Sequence, residues 1–137
     1  MYKKILVLVK VSKGSNKAIE TSCTLAKQLD ASVHMITIHK ENSDEVDKLS
    51  VKRMEDAVEF CKTNGLSNVT CEIVNIKLDD DIVEKVADIA SDFDMILMGH
   101  CKYNKIYKFL RDSIAEDLIR ISPCPVMIVT AECGGAK

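Results

Sequence analysis

Several catalytic signatures are missing from this chain. It has no Walker-type phosphate loop and no nucleophile elbow, which removes the common NTPase and serine-hydrolase frameworks. No two of its six cysteines stand as C-x-x-C, so a thioredoxin-like redox centre is excluded. The longest apolar run, Ile5–Val9, is far short of the roughly 20 residues that cross a bilayer. Lys10 and Lys13 follow that run and no small-residue cleavage site comes after it, unlike a secretory signal. Charge of one sign is also lacking: 19 basic residues face 21 acidic ones, so there is no nucleic-acid footprint overall. The expectation is a cytosolic protein, with neither membrane nor nucleic acid among its partners.

What is present is a domain-sized chain of 137 residues, 47% of them apolar, enough for a substantial core and too apolar for disorder. Five β-type runs, Ile5–Val9, Val33–Ile38, Val69–Ile76, Met95–Met98 and Val126–Val129, alternate with four helical patterns. Strands separated by helices imply βαβ crossovers, hence an α/β fold with an open parallel sheet. The first, fourth and fifth runs are solidly apolar, as strands covered on both faces should be. In the third, Val69, Cys71 and Ile73 alternate with Thr70 and Glu72, which suits a sheet edge. One domain over residues 1–130 is expected, with a flexible tail from Ala131 to Lys137.

The helices carry their own punctuation. Ser12 or Ser15 can cap the first, which lines up Ala18, Ser22, Leu25, Ala26 and Leu29. The second is expected from about Asn42 to Asn64, with Val51, Met54, Val58 and Cys61 inward. Acids at Asp44, Glu45 and Asp47 lie at its positive end, and Gly65 suits a left-handed C-terminal cap. Asp79–Asp81 open the third, with Ile82, Val86 and Ile89 inward. Ser113-Ile114-Ala115-Glu116 is a capping box for the fourth, which must end before Pro123.

That leaves Gly99 to Asp112 as a long loop at the carboxyl end of a parallel strand, where ligands bind in open α/β sheets. Two readings of its bases stand. Lys102, Lys105, Lys108 and Arg111, with Lys10 and Lys13 across the cleft, form an anion site, or they are an ordinary solvated charge run. Tyr103, Tyr107 and Phe109 fit loop packing better than base stacking, because the rest of the surface is not basic. His100 reads as a pocket-lining residue. Cys101, beside Lys102, is a candidate thiol sensor. His100 and Cys101 with His39 or Cys23 lack the paired close spacing of zinc ligands, so no metal is expected. Most of the cysteines sit in apolar periodic segments and read as reduced hydrophobes. A receiver domain would need acids at the end of strand one, where Val9, Lys10 and Val11 stand.

The opening MYKKILVLVKVSKGSNKAIETSCTLAKQLDASVHMITI and the closing DMILMG…DSIAEDLIRISPCPVMIV resemble the universal stress protein family along essentially the whole chain. The resemblance implies strand order 3-2-1-4-5, helices on both faces and a homodimer. Nucleotide-binding members carry an acid soon after strand one, and G-x-x-G, nine residues, then G-[S/T]. Here Lys10 stands at the acid position, Gly99 at the first glycine, Lys102 at the second and Asp112 at the third, while Ser113 keeps the hydroxyl. Glycine lets backbone N–H groups approach a phosphate closely. A carboxylate at Asp112 opposes the phosphates at the helix start. The expectation is therefore a non-catalytic, dimeric regulatory or interaction module, with an unknown protein partner and no cofactor. An ATP- or other anion-binding domain with at most slow hydrolysis is the alternative. The implied strand order leaves Val126, Met127, Ile128 and Val129 as an apolar edge, the expected dimer seam.

Overall fold

The computed structural model describes residues 2–9, 14–41, 47–102 and 113–132. In chain order these give β1 (Lys4–Leu8), α1 (Gly14–Leu29), β2 (Ser32–Lys40), α2 (Asp47–Thr63), β3 (Val69–Ile76), α3 (Ile82–Ala90), β4 (Met95–Lys102), α4 (Ser113–Ile121) and β5 (Val126–Glu132). The strands form one parallel sheet in the order β3-β2-β1-β4-β5. As expected, β3 and β5 are its edges.

Alternation along the strands divides the core in two. Ile5, Val7, Val33, Met35 and Leu97 pack under α1 and α2. Leu6, Leu8, Ile36, Ile96 and Met98 point the other way, toward α3 and α4. Central strands buried on both faces need apolar residues at every position, which is why these runs are continuous. Each fully buried Leu or Ile of this kind contributes roughly 1.5–3 kcal/mol.

The helix ends follow local chemistry. Asp81 is the N-cap of α3, its carboxylate accepting from the N–H groups of Val83 at 2.8 Å and Glu84 at 3.3 Å. At the end of α2, Gly65 has φ of +95°, and the Leu66 N–H donates to the Cys61 carbonyl at 3.0 Å. That bond spans one residue more than a helical one and closes a Schellman turn. In the turn into β5, the Ser122 hydroxyl donates to the Cys124 carbonyl at 2.6 Å and accepts from the Cys124 N–H at 3.2 Å.

Several expectations need correction. Ser15 is the second residue of α1 and so cannot be its N-cap; Ser12 lies outside the described residues, as do Asp44 and Glu45. The buried face of α1 also includes Ile19 and Cys23. On α2, Ala57 is buried in company with Met54 and Cys61, whereas Val51 is exposed on the flank. On α3 the inward residues are Val83, Val86 and Ala90, with Ile82 and Ile89 half-buried at the sides. An apolar stripe six residues wide leaves the phase open, and the smaller side chains allow the closer approach. Cys71 is exposed at the β3 edge. The strand expected to stop at Met98 continues to Lys102, and β5 takes in Ala131 and Glu132 from the expected tail.

Candidate functional site

The chain leaves β1 toward β2 on one side, and β4 lies on the other, so the crevice at their carboxyl ends is the topological switch point. β1 pairs with β4 from Ile5↔Met95 to Leu8↔Met98. Past that level Val9 turns to β2, its N–H donating to the Ile36 carbonyl at 2.8 Å. β4 goes on with β5 alone, in the register Gly99↔Val129, His100↔Thr130, Cys101↔Ala131 and Lys102↔Glu132. One wall of the crevice is therefore a two-stranded ribbon, with Gly99 buried and His100 half-buried in it.

This geometry brings Gly99, His100 and Lys102 into one continuous strand. Gly99–Lys102, expected as the start of a loop, form the end of β4 instead. Ser113 is the first residue of α4, whose amino end carries the positive end of the helix dipole. Lys10 and Asp112 lie outside the described residues. So do Lys13, Tyr103, Lys105, Tyr107, Lys108, Phe109 and Arg111. Among the described residues, no three His, Cys, Asp or Glu side chains come together as a metal site. No helix among them is long and apolar enough to cross a membrane.

The sequence profile of the universal stress protein family matches residues 1–130. The chain belongs to the universal stress protein family. It is 23% identical, over 96% of its length, to a putative universal stress protein of Staphylococcus saprophyticus, of which it covers 85%. Its fold is similar to that of a universal stress protein crystallised with cAMP, with a TM-score of 0.74 at 18% identity, over 93% of this chain and 97% of that one. It is similar also to a universal stress protein from Archaeoglobus fulgidus in complex with dAMP, with a TM-score of 0.67 at 20% identity, over 93% and 98% of the two chains. At such identities the likeness is one of fold.

Two further clusters of this universal stress protein went unread in the sequence. At the amino end of the sheet, His34 Nδ1 lies 2.6 Å from the Thr70 hydroxyl and Nε2 lies 3.0 Å from Glu72 Oε1. The His34 ring stacks on Phe93 with centroids 5.9 Å apart, and Lys4 Nζ sits 5.3 Å from the centre of the same ring. The parallel register His34↔Thr70 makes this contact, and no local motif announces it.

The second cluster lies outside the sheet, in a groove of about 480 Å³ between α1 and α2. Arg53 Nη1 donates to the Asn16 side-chain oxygen at 3.1 Å across it, while Arg53 Nε is buried with no acceptor among the described residues. The helical spacing of Arg53, Asp56, Ala57 and Phe60 was the available signal, since those positions share one face. Beneath both helices, burial and the neighbouring Cys23 thiol push the Cys61 pKa up to about 12, so the Cys61 thiol is chemically quiet.

Proposed function

We propose that this universal stress protein is a cytosolic, non-catalytic regulatory module that works as a homodimer and engages a protein partner, with a degenerate nucleotide cleft. The observation that carries the reading is the commitment of Gly99–Lys102 to the ladder with β5. A phosphate cradle needs backbone N–H groups turned toward the ligand at its glycines. Here the position of the second glycine is Lys102, an extended residue paired with Glu132. Asp112, ahead of Ser113, adds a negative charge where the helix end would otherwise attract phosphates. Lys10 in place of an acid removes a partner for ribose hydroxyls.

Calorimetry with Mg-ATP is expected to show no tight binding. The double substitution Lys102→Gly with Asp112→Gly is expected to improve it, because it restores two cradle glycines. Low-micromolar affinity in the unaltered protein would overturn the reading.

A second reading is favoured by the fold likeness to structures holding cAMP and dAMP, and by Ser113 at the start of α4. Under it the crevice takes an adenine nucleotide or another anion, with at most slow hydrolysis. The two readings separate cheaply. The chain has no tryptophan, so a nucleotide retained through purification stands out as excess absorbance at 260 nm.

A further inference from the structure

We propose that the groove between α1 and α2 is a binding site for a monocarboxylate with a flat apolar body, held by Arg53. The argument starts from the guanidinium. Its charge is permanent and it presents five N–H donors in a planar fork. Asn16 takes Nη1 at 3.1 Å and so fixes the plane of the fork from the neighbouring helix. Nε is buried and has no acceptor among the described residues. A buried donor without a partner loses its water and gains nothing in exchange. Nε with the adjacent Nη2 is also the edge whose spacing matches the two oxygens of a carboxylate.

The other lining residues select the rest of the ligand. Ile19 and Ala57 are buried at 5% and 4% exposure and form an apolar floor, and Phe60 keeps 39% of its surface open beside it. Arg53, Ala57 and Phe60 recur at helical spacing along α2, so the charged end and the apolar strip lie in line. Lys52 and Asp56 pair with each other at 3.6 Å at the rim. Among the described residues, neither the Arg53 cation nor the Glu20 carboxylate in the lining forms an ion pair. The Glu20 carboxylate beside the Arg53 cation opposes a dianion such as phosphate more strongly than a monoanion. The volume falls within the range of small-molecule clefts. The lining residues belong to α1 and α2 and include none of the residues assigned to the nucleotide crevice, so the two readings are tested at different side chains.

The test is a titration of the full chain with 3-phenylpropanoate at neutral pH, followed by amide and Arg Nε–H NMR signals. Saturable shifts are expected at Asn16, Ile19, Arg53, Ala57 and Phe60. Binding should weaken at least tenfold in Arg53→Gln, and at least tenfold in the unaltered protein when 3-phenylpropanamide replaces the acid. Asn16→Ala, a milder change, should weaken binding by a smaller factor, and it keeps the proposal testable if Arg53→Gln folds poorly. Inorganic phosphate should neither shift these signals nor displace the probe. Absence of saturable shifts, shifts centred on Gly99 and Ser113, displacement by phosphate, or equal affinity in the folded variants would overturn the proposal.

Discussion

Asp94 accepts hydrogen bonds from the backbone N–H groups of Lys3 and Lys4, at 2.8 and 3.0 Å, just ahead of β4. These two donors are the main reason its pKa lies below the usual carboxylate value of 3.8, with the amino terminus and the Lys4 charge adding to them. The folded state therefore holds the proton less tightly than the unfolded one. The stabilisation from Asp94 is complete above the ordinary carboxylate range and is lost as pH falls through the lowered folded value. Asp94→Asn should lower stability at neutral pH and flatten the acid limb of a denaturation curve. An acid limb unchanged from the unaltered protein would contradict this assignment.

Thiol chemistry gives a second check on single residues. With a pKa of about 12, Cys61 carries a thiolate fraction on the order of one in 100,000 at pH 7. Cys23, at 2% exposure, is shielded by the same packing, whereas Cys71 is exposed. In the native protein a disulfide-exchange reagent should modify Cys71 well before Cys23 or Cys61. Peptide mapping after timed labelling would read the order, and early labelling of Cys61 would mean that the α1–α2 layer opens easily.

Among the elements, the end of α2 is the cleanest case of sequence dictating backbone. The Cβ of an alanine at Gly65 would meet Lys27 Nζ at 3.4 Å and Cε at 3.6 Å, ordinary contacts, so space is not the constraint. The φ of +95° is. Gly65→Ala should cost roughly 1–2 kcal/mol in urea denaturation and Gly65→Asn less, since asparagine tolerates a left-handed cap better. Such punctuation made the elements legible: the capping acid before α3, the glycine after α2, the proline after α4 and the exact span of β3. The upper half of β4 was not legible. Gly99-His100-Cys101-Lys102 has no apolar pattern of its own, and its strand state comes from the ladder with β5. The crevice could be located from strand order and loop position, because those depend on connectivity. The Arg53–Asn16 contact joins residues 37 apart through the packing of two helices, and single-helix periodicity carries no such information.

For the whole molecule, the outer edge of β5 pairs with no other strand among the described residues. Val126, Met127 and Ile128 are half-buried on this edge strand, and Val129 is 9% exposed. A flat apolar edge is a hazard that soluble proteins cover. Antiparallel pairing of β5 with its own copy about a two-fold axis uses one surface twice. Ile128→Lys is expected to give monomers or insoluble protein. Sedimentation of the unaltered protein as a monomer at high concentration would sink the dimer. The position of β1 has a further consequence, one of timing. This strand is made first, and β2 can cover one side early through the Ser32–Ile36 register. Its other side waits for β4, and its start waits for Asp94, 91 residues beyond Lys3. At a synthesis rate of about 5–20 residues per second, that gap lasts roughly 5–18 seconds. Throughout it, Ile5–Leu8 lacks its β4 neighbour on the nascent chain.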